Sequence, residues 1–267
     1  MRQIKLLCKR LVWKILPNST VQLIKKRHYL RLLQSSLLEK EPEIKVVQYL
    51  VRPGDFAIDI GANIGIYSKV LSELVGPGGR VYSIEPFPPT FEILYYNLRK
   101  LHLENVVLLN VAISDSNALV TMGLPYDSSG AETHYRASIM KDNTDQSKTK
   151  ITNVQATTID SSFLRDAKKI SFIKCDVEGH ELACINGAKK FLAESQPAWL
   201  IEVSGDPEDT DSAAQVVFKI LYDKGYIAWW LDGGKLRKRC IGDKSTNYFF
   251  LKDNHIKILK KTNLKLV

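Results

Sequence analysis

The sequence predicts an α/β fold: a seven-stranded, mostly parallel, Rossmann-like sheet with helices on both faces, preceded by an N-terminal helical arm. Three observations carry this. Continuous apolar runs alternate with helical segments from Glu43 onward, as strands buried on both faces of a parallel sheet require. The last two runs, "YIAWWLD" (226–232) and "YFFLK" (248–252), are joined by a polar loop rather than a helix, which reads as an antiparallel pair at one edge. A glycine turn follows the first strand, and an acid ends the second.

The elements follow in order. Residues 1–16 read as a short amphipathic helix, with Ile4, Leu7, Cys8, Leu11 and Ile15 on one face, and "PNST" breaks it. A second helix covers 21–38 and carries "KKRHYLR". "EIKVVQYLV" is helical and "RPGD" turns into the strand "FAIDI" (56–60). A helix at 65–75, the strand "RVYSIE" (80–85), a helix at 89–102 and the strand "VVLLNVAI" (106–113) come next. Residues 119–154 are polar and show neither period, which suggests a substrate-side flap. Then come "ISFIKCDV" (170–177), a helix at 180–193, "AWLIEVS" (198–204), a helix at 210–224 and the closing pair. The domain organisation expected is a basic helical arm, 1–42, and a catalytic-looking body, 43–267.

The net charge of +9 is uneven. Nine basic residues and no acid precede Glu39, which leaves 29 of the 38 basic residues to balance 29 acidic ones. The body therefore suggests no nucleic-acid groove. For the arm, the plain reading keeps its lysines in water, and the sharper one rests residues 1–38 on anionic membrane. Cys8, Cys175, Cys184 and Cys240 are scattered without metal-ligand spacing. Their pattern, with no apolar run near the ~18 residues of a membrane span, points to a cytoplasmic location, with the arm at the inner membrane face in the sharper reading. Lysines and arginines interrupt any signal-peptide core.

Two stretches carry chemistry. In "DFAIDIGANIGIYS", Asp59 lies near the end of the first strand and Gly61 and Gly65 flank a tight turn into a helix. Glycine there lets backbone approach a ligand, and the helix start favours an anionic group. Glu85 lies 24 residues beyond Gly61, where an acid accepts hydrogen bonds from a ribose diol. The spacing Gly61-Ala-Asn-Ile-Gly65 lacks the G-x-G-x-x-G of a pyrophosphate cradle, and Asp59 beside it would repel pyrophosphate. A sulfonium nucleoside fits better than NAD. The second stretch, "FIKCDVEGHEL", crowds Asp176, Glu178, His180 and Glu181 at the end of the fourth strand. For the methyl transfer to an alcohol that the family resemblance described next implies, a base is needed, and His180 is the natural one. Asp176 would hold the cofactor's ammonium group or orient the acceptor, and Glu178 would bind its hydroxyls. Asp176, Glu178 and Glu202 are also candidate ligands for a divalent ion, a minor reading beside no metal. For Glu181 the plain reading is a first-turn acid suited to the helix dipole.

Together "GDFAIDIGANIGIYS", "VYSIEPFPPTFEILYYNL", "NVAISD" and "ISFIKCDVEGHELACINGAKKFL" resemble the FkbM family of S-adenosylmethionine-dependent methyltransferases. "TTID" and "WLIEVS" add to the resemblance, which covers about 45–252. It implies a class I methyltransferase fold and O-methylation of hydroxyls on sugars, glycans or other natural products. It also implies that Asp59, Gly61, Asn63 and Gly65 line the methionine part of S-adenosylmethionine, that Glu85 holds the ribose, and that Ser114 and Asp115 lie beside the adenine. Asp176, Glu178 and His180 would face the methyl group. Competing readings are an inactive relative acting as a peripheral membrane-binding protein and, more weakly, an NAD-linked oxidoreductase.

Overall fold

The structure is a computed structural model that describes residues 18–35, 41–125, 138–139 and 149–267. The helix expected at 1–16 lies outside the described residues. The chain opens with α1 (Asn18–Gln34) and α2 (Ile44–Leu50), followed by β1 (Phe56–Ile60), α3 (Ile66–Val75), β2 (Arg80–Ile84), α4 (Pro88–Lys100) and β3 (Val106–Leu109). Next are β4 (Ala112–Ile113), β5 (Ala118–Pro125), β6 (Ser138–Ile139), β7 (Thr149–Thr157) and α5 (Ile159–Phe163). The second half runs β8 (Ile170–Cys175), α6 (Glu181–Asn186), α7 (Lys189–Glu194), β9 (Ala198–Glu202), α8 (Ala213–Asp223), β10 (Ile227–Asp232), β11 (Lys235–Lys238), β12 (Asn247–Leu251) and α9 (Asp253–Leu259).

The main sheet has the order β11-β10-β12-β9-β8-β1-β2-β3. The neighbours from β9 to β3 are parallel, whereas β12 is antiparallel to both β9 and β10. This is the class I methyltransferase arrangement, with β11 added as a hairpin strand beyond the seven expected. Successive crossovers run from β1 outward to β3, then return to the other side of β1 through β8. The switch point between β1 and β8 is where such sheets open a ligand crevice at their carboxyl edge.

Side chains alternate between two cores. Ile58, Ile60, Ile84, Ile173 and Cys175 enter one. Ala57, Val81, Phe172 and Leu200 enter the other, where α2 brings Ile44, Val46 and Val47. Phe172 and Trp199 are fully buried, each contributing about 1.5–3 kcal/mol by leaving water.

Three expectations about local structure change. The run 106–113 is two strands, because at Asn110 the chain leaves the main sheet; the Asn110 amide donates to the carbonyls of Glu85 and Pro86. The helix at 180–193 breaks at Gly187, where a Cβ would overlap the Ser114 carbonyl. The polar segment 119–154 contains strands: β5 pairs with β7 over eight residues, in a second sheet of order β4-β7-β5-β6. Cross-strand pairing, with Met122 and Val154 buried in a small cluster, supplies the regularity that the polar sequence conceals. Residues 126–137 and 140–148 of that segment lie outside the described residues.

Candidate active site

The carboxyl ends of β1, β2, β8 and β9 bring the candidate residues to one edge of the sheet. After β1 the chain turns through Gly61 (φ 76°), Asn63 (φ 50°) and Gly65 (φ 99°) into α3. A Cβ on Gly61 would overlap the Asp176 carbonyl, so the β1 and β8 loops touch there. The Asp176 amide donates to the Ile60 carbonyl at 3.1 Å, tying the two loops. Glu178 (φ 50°) precedes Gly179 (φ 90°), so the second loop also holds a non-glycine residue in the left-handed region. Backbone strain of this kind, of order 1–3 kcal/mol per residue, concentrates at functional sites.

Two cavities meet over these loops, and Gly61, Asn63 and Asp176 line both. The first, ≈ 210 Å³, is walled by Glu85, Ile113, Met122, Glu178 and His180. Glu85 accepts hydrogen bonds from the amides of Asn63 (3.0 Å) and Phe87 (2.9 Å). Burial pushes its carboxyl up to about 7, against those two bonds. His180 Nε2 lies 2.9 Å from Ser114 Oγ. Ser114 is buried, whereas Asp115 is exposed and its carboxylate accepts from Ser116 at 3.1 Å.

The second cavity, ≈ 260 Å³, is walled by Glu41, Asp59, Tyr67, Lys174 and Glu202, with Tyr29 and Asn247 also lining it. Strand register explains this set. Asp59 pairs with Lys174 across β1 and β8, and both follow the alternation of the core that receives Ala57 and Phe172. Glu202 has the same parity as Leu200 and stands opposite Asn247. Lys174 Nζ donates to Asp176 Oδ2 at 2.8 Å and lies 4.9 Å from the Tyr67 ring centre. Burial opposes the lysine's charge, but Asp176, Asp59 and Glu41 outweigh it and hold the ammonium group protonated. Asp59 Oδ2 accepts from Ser68 Oγ at 2.6 Å, and Ser83 Oγ donates to Ser68 Oγ at 2.6 Å. Asp59 Oδ1 is buried with no hydrogen-bond partner.

The geometry thus brings Asp59, Gly61, Asn63, Glu85, Asp176, Glu178 and His180 into one cleft. Gly65 is buried beneath it, packed on Leu94 and Leu98. His180 sits with Glu85 in the first cavity and does not line the cavity of Glu202 and Lys174. Among the described residues, no three His, Cys, Asp or Glu side chains gather as a metal-binding group, so Asp176, Glu178 and Glu202 do not converge as ligands. Glu181 is buried rather than solvated, accepting from the Gly179 amide at 2.8 Å. Sequence reasoning missed Lys174, Tyr67, Glu41 and Tyr29. Lys174 had a signal, a lone charge inside the apolar strand "ISFIKC". Glu41 and Tyr29 had none, because they belong to the segment read as an arm.

The model of the methyltransferase FkbM domain matches residues 59–228, more than half of the chain. The protein belongs to the FkbM methyltransferase family. Its cofactor is S-adenosylmethionine. This FkbM methyltransferase is also similar to the protein-L-isoaspartate O-methyltransferase of Aeropyrum pernix, at 39% identity over 75 residues, 28% of each chain. The enzyme of that name from Ignicoccus hospitalis is 34% identical over 87 residues, 31% of this chain and 40% of that one. The chain therefore spans well under half the length of these curated relatives. Among solved structures, methyltransferase FkbM from Methylobacillus flagellatus is 18% identical, with a TM-score of 0.46, over 75% of this chain and 48% of that one. A SAM-dependent O-methyltransferase from Thermotoga maritima is 17% identical, with a TM-score of 0.44, over 80% of this chain and 64% of that one.

The residues present fit the cofactor. The unpartnered Asp59 Oδ1 suits an ammonium group, and Gly61 lets the Asp176 loop close against the turn, so that both loops line the two cavities. Glu85 lines the first cavity, at the position of a ribose-binding acid.

Proposed function

We propose that this protein is an O-methyltransferase that places a methyl group on a hydroxyl of a sugar, a glycan or another polyhydroxylated natural product. Asp59, Gly61, Asn63 and Asp176 would hold the methionine end of the cofactor, Glu85 the ribose, and Ser114 with His180 the adenine side. Bound there, S-adenosylmethionine supplies an electrophilic methyl on a sulfonium sulfur. The observation that carries the hydroxyl reading is the second cavity, which opens beside the first and is walled by Glu41, Asp59, Asp176 and Glu202 against Lys174. Carboxylates accept hydrogen bonds from hydroxyls and repel a carboxylate acceptor. A hydroxyl acceptor therefore suits this chain better than the isoaspartyl carboxylate named for its relatives. Incubation with labelled S-adenosylmethionine and glycan and lipid extracts, with an isoaspartyl peptide alongside, tests it. Label in a base-stable ether supports the reading. Label in the peptide alone overturns it.

The arm has a place in this reading. The outward face of α1 exposes Leu23, Ile24, Arg27, His28 and Arg31, while Tyr29 reaches the second cavity. Beside α1, α4 presents Tyr95, Arg99 and Lys100. An apolar and cationic face of this kind suits an anionic lipid surface, which would set the cavity mouth near a membrane-borne acceptor.

A further inference from the structure

The reaction needs a group that removes the acceptor's proton, and two candidates lie on different cavities. His180 is committed to the first cavity, 2.9 Å from Ser114. Glu202 lies in the second, at the carboxyl end of β9 and opposite Asn247. We infer that Glu202 is the proton acceptor for the attacking hydroxyl, set in an acidic cage that admits uncharged or cationic acceptors and excludes anionic ones. This rests on the O-methylation reading above. The acceptor O–H passes its proton to the Glu202 carboxylate, the oxygen's electron pair forms the new C–O bond, and the electron pair of the broken C–S bond stays on sulfur.

The charged and titratable groups that face Glu202 come from each neighbouring element. Lys174 and Asp176 extend from β8 and its loop, Glu178 from further along that loop, and Glu41 from the segment before α2. Asp59 of β1, Tyr67 of α3 and Tyr29 of α1 line the same cavity. Burial first, then the charge of Asp176, push the Glu202 carboxyl up to about 7; Lys174 opposes, while Glu178 and Glu41 add to the rise. A proton acceptor works best with a pKa near the operating pH. The cage also gives the buried lysine a role: Lys174 stands among Glu41, Asp59, Asp176 and Glu202 and offsets part of their negative charge. An incoming phosphate or carboxylate would meet net negative charge, whereas a sugar hydroxyl or an amino sugar would not.

The test needs no acceptor. Sinefungin is a cofactor analogue with a protonated amine where the transferred methyl sits, and S-adenosylhomocysteine carries no group there. Calorimetry would compare the two ligands on the full chain between about pH 6 and pH 8.5. If Glu202 faces that point, sinefungin binds about tenfold more tightly at the upper pH, and the preference shrinks severalfold as the pH falls through about 7. Glu202→Gln keeps the shape, and should remove most of the preference and its pH dependence while leaving S-adenosylhomocysteine binding within about twofold. Glu41→Gln, on a different element, should lower the preference partially and keep its pH dependence. An equal preference in wild type and Glu202→Gln, or a pH-independent preference in wild type, would overturn the inference and leave the methyltransfer reading standing. Failure of both ligands to bind wild type would overturn both.

Discussion

His180 Nε2 and Ser114 Oγ stand 2.9 Å apart, and this contact joins the loop after β8 to the end of β4 on the side of the sheet where Glu85 closes the first cavity. His180 thus lines the cavity of Glu85 and not that of Lys174 and Glu202, which in the proposed reading sets it at the nucleoside end of the cleft.

His180→Ala is therefore expected to weaken cofactor binding by up to about tenfold, the worth of one hydrogen bond, with little change in the turnover rate. Calorimetry with S-adenosylhomocysteine and steady-state rates at saturating cofactor check this. Unchanged affinity with a collapsed rate would return the base role to His180.

Glu85→Ala should reduce cofactor affinity by at least tenfold, because it removes the proposed ribose acceptor and leaves the Asn63 and Phe87 amides without their partner. The Glu85 carboxyl also has a stability signature. Its value rises from 4.5 to about 7 on folding, first through burial, so the folded state binds the proton more tightly than the unfolded chain. The penalty for ionising it is absent below about pH 4.5 and complete above about pH 7, on the order of 3 kcal/mol. The Tm of the unliganded protein should therefore fall as pH rises from about 5 to 7, and Glu85→Gln should flatten that slope. A Tm that rises over this range, with the variant parallel to wild type, would contradict the assignment.

Gly61→Ala faces two obstacles, a left-handed φ of 76° and overlap with the Asp176 carbonyl. A stability loss of about 2 kcal/mol or more is expected, with cofactor binding lost beyond that. Denaturant unfolding and calorimetry measure both. Wild-type values for both would mean that the two loops do not meet at this point.

Arg27 and Arg31 are exposed on the outward face of α1. Reversing both to Glu should reduce co-sedimentation with vesicles containing anionic lipid by at least tenfold, given about 1 kcal/mol per basic residue, and should leave thermal stability unchanged. Neutral vesicles should bind neither form. Equal sedimentation of variant and wild type on anionic vesicles would remove the membrane from the account.

Much of this molecule is written locally. Strands such as "FAIDI" and "ISFIKC" carry apolar residues on both faces, with one charge each, whatever surrounds them, so a parallel sheet covered by helices follows from the sequence. The glycine turn after Asp59, Glu85 at the end of β2, and the acids after β8 are likewise legible, because each belongs to one strand end. Tertiary structure decided the rest. Strand register set Asp59 beside Lys174 and Glu202 beside Asn247, which built the acid cage. Packing of the N-terminal segment brought Glu41 and Tyr29 to the same cavity from beyond the family's matched core. The polar stretch after β4 became a sheet only by pairing with residues some thirty positions away. The physical reason is common to all three. A turn or a buried strand depends on neighbours in the chain, whereas the charge and pKa of a site depend on neighbours in space.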